Sequence, residues 1–198
     1  MNYLSNLMLS IIFIIIFSPI IIFISLLILI LDGYPIIFKQ NRIGKDGKIF
    51  KMFKFRSMKK NAEEILKNDK KLYKLYLEND FKIPEEIDTR YISIGSFIRK
   101  TSIDEIPQFF NVMAGDMNIV GPRPIVKKEL QKYGKLKKYY LAVKPGITGL
   151  WQVSGRSNIS YKERREIDKN YVKSRSIFLD LKIILKTPLK VIKRDGAF

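Results

Sequence analysis

Residues 7 to 31, LMLSIIFIIIFSPIIIFISLLILIL, form an apolar run without a single charge. In helical form, at about 1.5 Å per residue, it is long enough to cross a hydrocarbon core about 30 Å thick. The run is too long for a secretory signal, no basic residue precedes it and no small-residue cleavage site follows it. Ser18-Pro19 stands at its midpoint. Proline removes one backbone donor and clashes with the preceding turn, which predicts a kink, with the Ser18 hydroxyl available to the freed carbonyl. On these grounds a kinked full span is favoured over a re-entrant hairpin that returns both ends to one side. Lys39, Arg42, Lys45, Lys48, Lys51, Lys54 and Arg56 follow the run, whereas residues 1 to 6 carry no Lys or Arg, so the rest of the chain is expected on the cytoplasmic side.

Beyond the run, Ile36 to Met58 reads as a β-hairpin: two segments rich in Ile, Phe and Lys flank GKDGK, and Asp46-Gly47 is a favoured turn pair. Residues 59 to 80 predict a charged surface helix with Ile65, Leu72, Leu75 and Tyr76 as a thin apolar face. KIPEEIDTRYISIG then predicts a loop and a short strand. Near the C-terminus, IFLDLKIILKTPLKVIKRDG places Lys182, Lys186, Lys190 and Arg194 at i, i+4 spacing, opposite Phe178, Leu181, Ile184, Leu185 and Ile192. Such a helix suits a membrane interface, and its apolar half suits the protein's own core equally well.

Composition narrows the chemistry. The 198 residues suit one compact unit, and 37 Lys and Arg against 19 Asp and Glu give a formal charge of +18, which predicts anionic partners. Cys and His are both absent, so thiol nucleophiles, histidine bases and Cys/His zinc sites are excluded. Catalysis would have to run on carboxylates, Lys, Tyr, Ser or Thr, with an oxygen-ligated ion such as Mg²⁺.

The adjacent carboxylates Asp104 and Glu105 in RKTSIDEIPQFFNVMAGDMNIVGPRP are the leading candidates. Ser102 with Glu105 fits a capping box, or Asp104 could itself be an N-cap with Pro107 in the first turn. The chemical alternative uses the same geometry, since a helix N-terminus favours a bound phosphate and an ionised aspartate beside it could attack phosphorus without a base. Anion attacking anion costs about 4 kcal/mol per charge pair at about 4 Å and an effective dielectric near 20, which Mg²⁺ and arginines would have to offset. Arg99, Arg123 in GPRP and Arg156 in KPGITGLWQVSGR are placed to do so. Gly121, Pro122 and Pro124 would stiffen the Arg123 loop, and Gly146, Gly149 and Gly155 would let backbone approach a ligand. Trp151 could stack on a base or sit in the core.

With the Ser18-Pro19 apolar segment, QNRIGKDGKIFKMFKFRSM, the Asp104 stretch, KPGITGLWQVSGR and KRDGAF in one order, the chain resembles the bacterial sugar transferases, the monotopic polyprenyl-phosphate phosphoglycosyl transferases. It is most similar to the catalytic core of the undecaprenyl-phosphate galactose or glucose phosphotransferases, without the further N-terminal helices and domain that larger members carry. The resemblance implies an α+β, mainly helical fold: a small β-hairpin plus helices, interfacial amphipathic helices, and a re-entrant helix-break-helix made by Ser18 and Pro19. Residues 1–34 would be the membrane anchor and 35–198 a cytoplasmic catalytic domain on the bacterial inner membrane.

The resemblance also implies roles. Asp104 would be the nucleophile that displaces UMP from a UDP-sugar, Glu105 would assist, and Mg²⁺ would bridge Asp104 to the diphosphate. Undecaprenyl phosphate would then accept the sugar phosphate, beginning glycan assembly. Arg99, Arg123 and Arg156 would hold phosphates or nucleotide, and Lys54 and Arg56 would lie near the lipid phosphate. Family members often read RVTRIG where this chain has RYISIG, which lowers the weight on Asp88 and Arg90. The expected partners are a UDP-sugar, undecaprenyl phosphate and the anionic inner membrane, with a homodimer allowed and no nucleic acid. Two competitors make different predictions: a glycosyltransferase would release UDP, and a non-catalytic basic module would bind with no dependence on Asp104.

Overall fold

The computed structural model describes residues 1–79, 83–155 and 159–192. The apolar run forms helix α1, Tyr3–Asp32, whose first turn is capped by the Asn2 side chain accepting from Ser5 N. Pro19 lies inside it. Helical hydrogen bonding runs on through Ser18 and Pro19. Proline at 19 leaves the Ile15 carbonyl without its i+4 donor, and the Ser18 hydroxyl donates to that oxygen at 2.8 Å. Gly33, at φ 70°, ends the helix in a conformation that a side chain would disfavour.

One side of α1 lies against the rest of the protein along its whole length. Ile24 and Ile28 enter the core, and the Phe13 and Phe17 rings pack on Phe109 at 5.1 and 6.2 Å. Near its start, buried Asn6 accepts from Ile119 N at 2.8 Å. The opposite side exposes Leu4, Met8, Ile11, Ile12, Ile15, Ile16, Ile22 and Phe23. So large a continuous apolar surface calls for a partner or a membrane.

The hairpin forms as the sequence predicts. Strands β1, Ile37–Ile43, and β2, Ile49–Phe55, pair antiparallel with Ile43 opposite Ile49 and Ile37 opposite Phe55. Asp46 and Gly47 turn the chain at φ 56° and 79°. The segment 59–80 is not one helix. Asp69 caps a second start by accepting from Leu72 N, which splits the segment into α2, Ala62–Asn68, and α3, Lys70–Glu78. Leu66, Leu72, Ile83 and Tyr76 make a small separate core there. The strand expected in RYISIG is reduced to a single bridge between Met58 and Tyr91, followed by α4, Gly95–Lys100. Arg90 forks onto Asp88 at 2.7 Å with both nitrogens, a buried pair that holds its own loop.

The main core lies between β2, α1 and α5, Gln108–Met113, with Phe50, Met52, Phe55, Ile98, Phe109 and Val112 inside. Strand β3, Asn118–Val120, and β4, Gly146–Thr148, form a short parallel pair. Their glycines admit backbone rather than ligand: a Cβ on Gly146 would stand 2.1 Å from Gly121 N, and one on Gly149 would stand 2.2 Å from Gly121 O. Helices α6, Lys127–Lys132, and α7, Lys137–Leu141, lie between the two strands in sequence, and α8, Leu150–Ser154, follows β4. Then come α9, Tyr161–Ser174, with a Ser160/Glu163 capping box, and α10, Ile177–Ile192. Helix α10 buries Asp180 and Ile183 and exposes Ile177, Phe178, Leu181, Leu185, Leu189 and Ile192. The core-facing alternative for its apolar half is thereby mostly excluded, with Phe178 85% exposed.

Candidate active site

The two carboxylates do not cap a helix. Ser102 adopts the left-handed conformation at φ 58° and makes no side-chain cap, Ile103–Glu105 is a single 3-10 turn, and α5 begins only after Pro107. The side chains turn instead toward β2. Lys54 continues the strand face that buries Phe50 and Met52, since residues two apart share a side. At that end of the core an ammonium group needs anionic partners. Lys54 Nζ donates to Asp104 Oδ2 at 3.0 Å and to Glu105 Oε1 at 2.9 Å. Arg123 closes the far side, with Nη2 at 3.0 Å from the same Glu105 oxygen.

The pair is electrostatically unequal. Burial pushes the Asp104 carboxyl above its usual range, against the pull of Lys54 and more distant Arg99, and the neighbouring charge of Glu105 adds to the rise. Glu105 is buried too, but Arg123 and Lys54 together outweigh the desolvation and hold it well below the usual range. Two neighbouring carboxyls with opposed proton affinities are an arrangement suited to distinct chemical roles. Glu105 stays a fixed anion, whereas Asp104 is the more basic and the less neutralised of the two.

Asn111, fully buried on α5, fixes this geometry. Its Oδ1 accepts from Phe53 N at 2.9 Å and its Nδ2 donates to Lys51 O at 2.8 Å, so one side chain pairs with the free edge of β2 as a neighbouring strand would. Helix α5 directly follows the dyad, and Phe53 directly precedes Lys54. The side-chain amide thus sets the distance between the carboxylates and their lysine. The signal in the sequence was an amide inside the apolar FFNVM, since a buried amide must be bonded.

The other predicted residues divide. Arg99 stands within electrostatic reach of Asp104 and lies over the Tyr91 ring at 5.5 Å. Arg56 does not join the site: its Nη2 donates to Asp32 O at 2.9 Å and Gly33 O at 2.5 Å, satisfying carbonyls left open at the end of α1. Arg156 and the KRDGAF segment lie outside the described residues. Trp151 has the Arg164 guanidinium over its ring at 4.4 Å, so a protein cation covers one face. Ser18 and Pro19 belong to α1.

Among the described residues no group of three or more Asp or Glu side chains could cage a metal ion. Asp104 and Glu105 nonetheless converge on one cation position, the one that Lys54 Nζ takes at about 3 Å from each. Two such carboxylates fit a Mg²⁺ ion completed by water and substrate phosphates, which is how that ion is usually bound.

A family model described as bacterial sugar transferase matches residues 1–194. The chain is 48% identical over 171 residues to an undecaprenyl-phosphate galactose phosphotransferase of Salmonella typhimurium, covering 84% of this chain and 35% of that protein. It is 50% identical over 167 residues to the galactosyl transferase CpsE of Streptococcus agalactiae, covering 84% of this chain and 36% of that protein. With the exopolysaccharide production protein ExoY of Rhizobium meliloti the identity is 38% over 184 residues, covering 92% of this chain and 81% of that protein. The chain belongs to the bacterial sugar transferase family.

Proposed function

We propose that the chain transfers a sugar 1-phosphate from a UDP-sugar to undecaprenyl phosphate, releasing UMP, through a phosphosugar carried on Asp104. The observation that carries this reading is the buried Asp104–Glu105 pair held against Lys54 and Arg123 where neither carboxylate caps a helix. An Asp104 oxygen attacks the phosphorus next to the sugar, the bond from that phosphorus to UMP breaks, and UMP leaves with the electron pair. An oxygen of undecaprenyl phosphate then attacks the same phosphorus, the bond to Asp104 breaks, and the aspartate is restored.

Lys54, Arg99 and Arg123 supply the positive charge that the approach of anion to anion demands. Lys54 can exchange its carboxylate contacts for phosphate contacts, since an ammonium on a flexible stem bonds either. Asp104 and Glu105 would hold Mg²⁺, which when bound neutralises phosphate charge. Glu105, anchored by Arg123, keeps its charge through the cycle and holds its neighbour in register.

A covalent intermediate lets a water-soluble donor and a leaflet-bound acceptor react in turn. The seat for the acceptor is the inner-membrane interface. Exposed apolar surface on α1 and α10 supports this: each large side chain that passes from water to hydrocarbon contributes roughly 1.5–3 kcal/mol. Near its start α1 bonds Ile119, and at its end it bonds Arg56. Contacts at both ends to one body favour a re-entrant or interfacial helix over a full span, with that body on the cytoplasmic face. Product analysis tests the reaction. In nanodiscs with undecaprenyl phosphate, Mg²⁺ and a panel of UDP-sugars, wild type should release UMP and Asp104→Asn should not; release of UDP would make the chain a glycosyltransferase instead.

A further inference from the structure

Arg123 meets the dyad from the loop 121–124, which is clamped from behind. Arg42, on β1, donates Nη1 to the Pro124 carbonyl at 3.0 Å and Nη2 to Gln40 Oε1 at 2.6 Å. Its Nη1 also stands 3.6 Å from Glu129 Oε2, an oxygen that accepts from Val126 N at 3.0 Å. The next residue, Ile43, donates its N–H to Ile125 O at 2.9 Å. Tyr140 Oη donates to Ile43 O at 2.9 Å and accepts from Ile125 N at 3.2 Å. The three residues after Arg123 are thus tied to the hairpin that carries Lys54 on its other strand.

The choice of an arginine there is expensive. Burial, and then the positive charge of Arg123, push the Arg42 guanidinium down to about 10, so it remains a cation in a place that disfavours one. A neutral donor would satisfy the Pro124 carbonyl without that penalty. What an arginine adds is a rigid fork, able to hold two acceptors in a fixed plane, and a positive charge within electrostatic reach of Arg123.

We propose that Arg42 is a positioning residue for phosphoryl transfer: through the Pro124 carbonyl it fixes the direction from which Arg123 approaches Glu105 and the substrate phosphate. This rests on the reaction proposed above. β1 and β2 then act as two arms of one jig, with Lys54 set by one strand and Arg123 by the other. Misplacement of a charged group by about 1 Å can cost about 100-fold in rate.

A double-mutant cycle tests it, with UMP release measured for Arg42→Met, Arg42→Lys and Gln40→Leu in the wild-type and Arg123→Ala backgrounds. Arg42→Met should lower kcat about 10- to 100-fold, and Arg42→Lys should fail to restore it because a lysine has no fork. Gln40→Leu, a milder change that leaves the charge in place, should lower kcat by roughly 3- to 10-fold. In the Arg123→Ala background each loss should shrink to about twofold or less. Equal losses in both backgrounds would overturn the assignment, and so would full activity of Arg42→Lys. Should Arg42→Met not fold, the Gln40→Leu cycle decides by the same criterion. A wild-type chain that releases no UMP at all overturns the reaction and the Arg42 role together; an active wild type with additive losses overturns only the role of Arg42.

Discussion

Lys54, in β2, and Arg56, just past its end, serve different regions of the molecule. Lys54 reaches the carboxylate pair and takes part in its charge balance, whereas Arg56 reaches back to the end of α1 and closes open carbonyls there. Within one basic motif the first cation pairs with the carboxylates and the second seats the end of α1. Residue type does not separate them; the acceptors do. A carboxylate pair with opposed proton affinities asks for a cation that can let go, and a helix end asks for one that stays.

Substitutions at these two positions should therefore differ in kind. Lys54→Met should reduce UMP release by about 100- to 1,000-fold, as loss of a preorganised charge at a reacting centre does. It should also move the acid limb of the rate profile. In the proposed reaction Asp104 attacks as the ionised carboxylate; its proton affinity is raised by burial and Lys54 is the strongest opposing influence, so removing Lys54 should shift that limb to higher pH. Arg56→Met should leave the limb in place and lower kcat less than about fivefold, while costing about 2–4 kcal/mol of stability through lost charged hydrogen bonds. Thermal unfolding in nanodiscs reads that cost. An Arg56 variant that moved the acid limb as far as the Lys54 variant would erase the distinction.

Glu105 differs from both cations in its dependence on pH. Its folded proton affinity is depressed, so the stability it contributes is present above the ordinary glutamate value of about 4.3 and is lost as pH falls below it toward the folded value. Glu105→Gln should accordingly lower the melting temperature at pH 7 and have a smaller effect near pH 3. The smallest effect belongs to the membrane region. Ser18→Ala removes the donor to the Ile15 carbonyl and should cost about 1 kcal/mol, read as a lower melting temperature with the rate profile unchanged.

The parts of this fold that were legible in the sequence are those fixed by local chemistry. Asp46-Gly47 set the hairpin turn, and an uncharged run of the right length set α1. The dyad was legible as a position but not as a geometry: a Ser-x-x-Glu spacing describes a capping box only if Ser102 stays extended, and it is left-handed. Asp69 divided a segment whose periodicity ran straight through it. The β3–β4 pair joins two three-residue strands 28 positions apart, Asn118 with Gly146, and so short a segment carries no alternation to read. Its glycines were expected to face a ligand and instead let two backbones meet. The contacts of Asn111, Arg42 and Arg56 all depend on carbonyls and amides brought from distant segments, which no spacing rule encodes.

In the reaction we propose, Asp104 carries the sugar phosphate. The most direct test is to incubate wild-type protein and Asp104→Asn with Mg²⁺ and the UDP-sugar that supports turnover, leaving out undecaprenyl phosphate, and to measure intact and peptide masses. Wild type should gain an adduct of one sugar phosphate, located at Asp104, formed with stoichiometric UMP, discharged on adding the lipid and absent from the variant. An adduct on another residue, or turnover with no UMP released before the lipid is added, would contradict it.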